Sequence, residues 1–521
     1  MSRILKIILV LLCPALLAVS SFAQQAGHPS LTLMSLSAHP DDEGGGTLAY
    51  YGKLKGVSTF SIYFTRGEGG QNEIGSELYE DLGILRTRET LEAAKILGAE
   101  AHFLGFRDFG FSKTAKETFS MWGGKDSVLA RLVYVIRALK PDVIITNHDT
   151  VTTKPNRQHG NHQAVGISAY QAFEKASDPS YHPEQLHDSI TPWQVKKLFI
   201  RYFDRDSALL HQAPVVIDVR QKDSTGASMY DVAVAALQKH RSQGMLRPSP
   251  NQRYYLLRQN KNYPFDGLDV FSGIDPSVRE IVALQDPPPP PHSALRDFGD
   301  PTKARAKRSE HINVGLVKTY DDTIEKVLTA CSIPMTLLDP HKFERDDLTP
   351  YSVIILDLRT YQYRQDIERY RGRLFEYIRK GGNVVAFYNK TDDWSGKNPA
   401  PYPITITSER VTEEDAKVTM LLRDHPLLST PNRITADDWN GWIQERSIYL
   451  PSDDTAKTSR NYKRLLSMSD TDEQQPPTSL LWATYGKGTY TYCALALYRQ
   501  LRIANEGAIK LFFNMLSQPR H

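Results

Sequence analysis

Cysteine is nearly absent: the 521-residue chain has three. Cys13 lies in an apolar leader, and Cys331 and Cys493 each fall in an apolar segment. The sequence therefore offers no disulfide framework and no thiolate metal site, and the two later cysteines read as buried free thiols. An excess of one charge sign is also missing. Lys and Arg number 63 and Asp and Glu 60, a formal net charge of +3. That balance gives no sign of a nucleic-acid partner. Long apolar runs are missing beyond the start of the chain. Ile7 to Val19 is too short for a comfortable membrane span, and it stands between Arg3 and Lys6 on one side and Ser21-Phe22-Ala23 on the other. This order reads as a signal peptide over residues 1–23. The expectation is an exported chain, periplasmic or extracellular, with no transmembrane segment once the leader is removed.

The chain is long enough for two or three domains. Residues 31 to about 175 alternate strand and helix patterns, the mark of a parallel sheet with crossover helices. Strands are expected at Leu31 to Leu36, Val57 to Phe64, Pro141 to Asp149, which runs into polar residues, Val195 to Ile200 and Pro214 to Val219, and helices at Leu82–Leu97, Val128–Leu139 and Tyr230–His240. A proline run from Pro287 to Pro291 follows Asp286, and the charged stretch after it to Glu310 lacks periodicity. Polyproline is stiff and extended, so residues 286–310 read as a linker. The α/β pattern restarts at Ile312 to Val317, with a helix at Asp321–Ala330, strands at Met335–Leu338, Val353–Leu356 and Val384–Tyr388, and one helix over Ile367–Arg379. The domains are thus 24–285 and 311–521. Trp439, Trp442, Tyr449 and Trp482 read as packing residues, with a sugar-binding surface as the sharper alternative.

Chemistry concentrates in Ser37-Ala38-His39-Pro40-Asp41-Asp42-Glu43, after the first strand and before Gly44-Gly45-Gly46. The carboxyl ends of strands are where α/β proteins build their sites. One imidazole and three carboxylates held this close suit a metal such as zinc. A second group follows another strand: Asn147-His148-Asp149, then Arg157-Gln158-His159-Gly160-Asn161-His162. The two imidazoles of H-x-x-H, three residues apart on a helix, share roughly one face. A catalytic zinc takes three protein ligands and keeps one position open. His39, Asp42 and His162 would supply them, leaving Asp41 and His159 for proton transfer. His148 is the runner-up ligand.

With these residues the chain resembles the PIG-L (LmbE-like) family of zinc-dependent N-acetyl-sugar deacetylases. Thr65-Arg66-Gly67-Glu68-Gly69-Gly70-Gln71, Arg86-Thr87-Arg88-Glu89, Leu104-Gly105-Phe106-Arg107-Asp108 and His240-Arg241-Ser242-Gln243 extend the likeness over roughly Leu31 to Gln243. The resemblance implies a Rossmann-like parallel-sheet domain with His39, Asp42 and His162 on one Zn2+ per chain, or another divalent ion such as Fe2+. It implies attack of a zinc-bound water, Asp41 as general base, and a cationic His159 that stabilises the oxyanion or protonates the leaving amine. Glu68, Arg86 and Asp108 would meet substrate hydroxyls. Two positions depart from the family. Asn161 replaces the usual Asp of His-Pro-Asp-His, and Arg157 stands where characterised relatives often carry an aromatic hydroxyl; a cation there would serve the oxyanion or an anionic substrate. The second half resembles the class I glutamine-amidotransferase-like fold. Tyr388-Asn389-Lys390 occupies its nucleophile elbow without a cysteine, so amidase chemistry is not expected there. The expected function is a secreted deacetylase acting on an N-acetylated sugar or glycoconjugate; a noncatalytic carbohydrate-binding or assembly protein on the same scaffold is the alternative.

Overall fold

The computed structural model describes residues 29–70, 72–148, 158–201, 213–244, 248–286, 298–397, 399–471, 473 and 478–519. The leader, Gln71, Asp149, Arg157 and the run Pro287 to His292 lie outside the described residues. No described helix is long and apolar enough to cross a membrane.

The chain folds as two α/β lobes. The first lobe is built on β1 (Thr32–Ser37), β2 (Ser58–Tyr63), β3 (Glu100–Phe103), β4 (Val143–Thr146), β5 (Lys197–Arg201), β6 (Val215–Asp218) and β7 (Asn251–Gln259). They form one sheet in the order β3-β2-β1-β4-β5-β7-β6, parallel from β3 to β5 and antiparallel at β7 and β6. Strand β1 is buried at all six positions, and β4 at all four. That double-faced burial is why neither strand alternates apolar and polar residues strictly; even Thr32, Ser35 and Ser37 of β1 are buried. Helices α1 (Gly45–Ala49), α2 (Tyr79–Leu97), α3 (Ala115–Met121), α4 (Lys125–Leu139), α5 (Gly160–Lys175) and α6 (Met229–Leu237) cover the faces. The chain runs outward from β1 in one direction to β2 and β3, and in the other to β4 and β5. Their carboxyl ends diverge at β1 and β4, the topological switch point where open α/β sheets bind ligands. His39 follows β1 and His148 follows β4.

The second lobe carries β8 (Val314–Val317), β9 (Met335–Leu337), β10 (Val353–Leu356), β11 (Asn383–Phe387), β12 (Arg410–Val411), β13 (Val418–Met420), β14 (Ser447–Ile448), β15 (Lys463–Met468), β16 (Thr478–Tyr485) and β17 (Gly488–Cys493). Eight of these make a sheet in the order β13-β15-β16-β17-β11-β10-β8-β9, parallel from β9 to β17; β12 pairs with β14. The helix expected over Ile367–Arg379 is two pieces, Gln365–Arg369 and Arg371–Arg379. Tyr370 leaves helical geometry at φ −105° and ψ 20°, beside Gly372, which favours helix poorly. Cys331 and Cys493 are free thiols; Cys493 is buried as expected, whereas Cys331 is only half-buried. Trp439 and Trp442 are buried in the second core, so they offer no sugar platform.

The lobes share a core. Leu78 and Tyr79, at the start of α2, belong to the apolar cluster of the second lobe, and the Tyr79 hydroxyl donates to the Arg499 carbonyl at 3.0 Å. Lys113 pairs with Asp470 at 2.7 Å across the same seam.

Candidate metal centre between the lobes

Three side chains converge where β1 ends and α5 begins. His39 Nδ1 lies 3.2 Å from Asp42 Oδ2, His162 Nε2 lies 3.3 Å from the same oxygen, and the two ring nitrogens are 3.3 Å apart. This is a nearly equilateral triangle of donors. Ligands held about 2.0–2.1 Å from a tetrahedral zinc stand about 3.3–3.4 Å from one another, so the triangle has the dimensions of one face of that site. The two imidazoles hold the Asp42 carboxyl well below the usual range against the opposing effect of burial, so it is the anion that ligation requires.

The local sequence explains the convergence. The His39 N–H donates to Asp42 Oδ2 at 3.0 Å, closing the turn after β1. Gly160 starts α5 because no larger residue fits: an added Cβ would stand 2.2 Å from the Thr114 carbonyl oxygen. Its N–H donates to the Ser112 carbonyl at 2.7 Å, which fixes the end of α5 that carries His159 and His162. Asn161, the departure from the family pattern, is fully buried beneath the centre. Its amide lies 3.2 Å from His39 Nε2 and meets the Ser112 and Thr118 hydroxyls at 3.0 and 2.9 Å. Its Nδ2 side also donates to the Gly110 carbonyl at 3.4 Å while both hydroxyls donate to its Oδ1, so the buried amide holds the His39 ring in place. Asp108 Oδ2 stands 3.7 Å from the same nitrogen.

Asp41 lies beside the triangle and lines the same pocket, with a left-handed φ of 81°. Desolvation in the cleft and the Asp42 charge push its carboxyl up to about 7, opposed by Arg86, whose guanidinium is 3.6 Å away. Behind it, the fully buried His240 pairs with Glu43 at 3.0 Å. His240 therefore supports the turn from behind and does not line the pocket.

Several expectations need correction. His159 is close to the centre, its ring 3.9 Å from that of His162. Burial first, then the neighbouring His162 and His39 rings, hold its pKa well below the usual imidazole value. Burial and the neighbouring imidazoles thus work against the cation expected at His159. His148 reaches the same cluster and with Asp42 and His162 forms a second group that could hold an ion, although its Nε2 accepts the Ala38 N–H at 2.8 Å. Glu68 is buried outside this pocket; it accepts the Arg66 and Asp108 N–H groups at 3.1 Å each and holds two loops together rather than facing substrate. Arg86 and Asp108 do line the pocket, but Arg86 also donates to the Gly67 carbonyl at 2.8 Å and the Pro40 carbonyl at 3.0 Å.

Gly67 is needed for that arrangement. At φ +73° an added Cβ would stand 2.3 Å from the Arg86 guanidinium. Gly67→Ala should cost about 3 kcal/mol, the sum of a left-handed alanine and a displaced charged hydrogen bond. Denaturant unfolding of the full chain checks it; a variant as stable as the parent would show that Arg86 does not anchor the turn.

Residues 34–173 match the family model described as PIG-L: GlcNAc-PI de-N-acetylase. A 1D-myo-inositol 2-acetamido-2-deoxy-alpha-D-glucopyranoside deacetylase of Saccharopolyspora erythraea is 29% identical over 285 residues, covering 46% of this chain and all of that protein. A mycothiol S-conjugate amidase of Streptomyces coelicolor is 31% identical over 182 residues, 32% of this chain and 60% of that protein. Among solved structures, an N,N'-diacetylchitobiose deacetylase from Pyrococcus horikoshii overlaps 41% of this chain and 70% of its own, at 20% identity and a TM-score of 0.32. The PIG-L match spans β1 through most of α5, the segment that contributes all three corners of the triangle.

Proposed function

We propose that this protein is a metal-dependent deacetylase that hydrolyses the N-acetyl group of an amino sugar or a related amide, outside the cytoplasm. The donor triangle of His39, Asp42 and His162 carries the reading. The activities named for the PIG-L relatives support it, and the leader over residues 1–23 supports the location.

A divalent ion in that triangle, zinc by the chemistry of the donors, would polarise the acyl carbonyl and lower the pKa of a bound water to about 7. Asp41, at the pocket edge and outside the triangle, accepts the proton from the attacking water. It then returns that proton to the amine nitrogen as the C–N bond breaks and acetate forms. Neutral His159 donates one ring N–H to the oxyanion; a neutral donor serves there because it needs no charge in a buried site. Arg86 holds the Asp41 turn by its bonds to Pro40 and Gly67 and keeps the carboxylate aimed into the cleft.

The test joins a metal assay to an amine-release screen on N-acetylated amino sugars. The expected result is about one divalent ion per chain, as one three-ligand site requires, with free amine released from at least one sugar. A protein that binds the ion and the sugars yet releases no amine would be a binder on this scaffold, and the hydrolase proposal would fall.

A further inference from the structure

The triangle forms only one wall of its pocket. The cavity, about 410 Å³, is closed on the far side by the second lobe. That volume is in the range of small-ligand sites and holds more than an acetamide group. The two walls differ in charge. On the first lobe, Asp41, Asp42 and Asp108 face the space with one cation, Arg86. On the second lobe, Arg359, Lys390, Arg410 and Arg499 face it with two carboxyls, Asp321 and Glu445. Glu445 is shared between Arg410 at 2.5 Å and Arg499 at 3.3 Å. Burial and the nearby Arg359 and Arg410 lower the Lys390 pKa, opposed by Glu73 and Asp393, and Arg359 is itself paired with Asp393 at 3.1 Å.

The wall is also built rigidly. The Arg410 guanidinium lies between the Phe111 ring of the first lobe, 4.7 Å away, and the Tyr449 ring of the second, 5.2 Å away. Tyr449 in turn stacks on Tyr388 with the planes 16° apart. A flat cation fixed between aromatic faces suits a planar or tetrahedral oxyanion, and the neighbouring rings suit the body of a sugar. Lys390 starts the short helix at Thr391–Trp394 after β11, so the turn read as a nucleophile elbow presents a cation here instead.

We infer that the second lobe forms a subsite for an anionic substituent, a carboxylate or a phosphate, on the N-acylated substrate, with Lys390 and Arg410 as its recognition pair. This deepens the deacetylase reading and rests on it: the amide would lie over the triangle and the anion against the opposite wall.

The test is equilibrium binding to the full-length, zinc-loaded Asp41→Asn protein by calorimetry. Three probes are compared: N-acetylglucosamine, its 6-phosphate and N-acetylglucosaminuronic acid. The expected result is at least ~10-fold tighter binding of one anionic sugar over the neutral one, weakened by added salt, as a charge-assisted contact requires. The better of the two anions tells phosphate from carboxylate. Lys390→Met and Arg410→Gln, each placed in the same background and checked by thermal melting, should bring the ratio toward one. Equal binding of all three sugars, binding of neither anion, or an unchanged ratio in folded Lys390→Met would overturn the inference and leave the cations balancing the acids opposite. A clear preference for an anion without amine release by the parent enzyme upholds the subsite and sinks the deacetylase. Amine release with no anion preference does the reverse.

Discussion

Asp41→Asn should keep its metal and lose turnover by ~10²–10⁴-fold, the usual worth of a positioned general base. The substitution changes one oxygen to an amide and little else. Asparagine tolerates the left-handed φ of 81° that Asp41 adopts. The donor triangle does not include Asp41, so ion content measured after dialysis should match the parent. What disappears is the group that shuttles the proton between water and amine. The comparison is kcat on the best amide found in the screen, with metal content measured on the same sample. Turnover within a few-fold of the parent would move the base elsewhere, and Asp108, 3.7 Å from His39, would be the next carboxylate to test.

His162→Ala should lose both the ion and the turnover. It removes one corner of the triangle and the largest favourable interaction on Asp42, so two donors remain and one carboxylate loses its main partner. Even residues that only orient a metal ligand cost about 10–100-fold in affinity when removed, so deleting a ligand should cost more than ~100-fold. Competition with a chelator of known affinity measures it directly. A protein that still held its ion as tightly would mean that the His39–His159 pair or His148 completes the site. The two variants therefore separate roles that share one turn: loss of chemistry alone for Asp41, loss of the ion for His162.

The first wall of the site was legible in the sequence because its parts are local. His39 to Glu43 is one turn after a strand, and His159 and His162 share the first turn of a helix. Short spacing fixes relative placement before any tertiary contact is known. The chemical state of His159 was not legible. It depends on how deeply Phe111 and the other imidazoles enclose it, and only packing decides that. Glu68 was open for a related reason: a loop carboxylate suits substrate contact or internal bonding equally, and here it accepts two backbone N–H groups. The second wall was invisible. Arg359 and Lys390 follow the neighbouring strands β10 and β11, Arg410 lies in β12 of the separate two-stranded pair, and no shared motif joins them. Strand β7 was missed along with them. It returns antiparallel between β5 and β6, out of sequence order, and no crossover pattern announces it.

Leu78 and Tyr79 fix how such a molecule is inherited. They leave the first lobe to fill the interior of the second, beside the residue that supplies Arg499 to the cavity. Severing the chain at its proline run would strip one half of a plug and leave the other with a hole, besides opening the reaction chamber to bulk water. Gene shuffling that replaced the distal module with an unrelated one would meet the same obstacle. Substitutions along Leu78–Tyr79 should therefore be matched by compensating changes in the facing half.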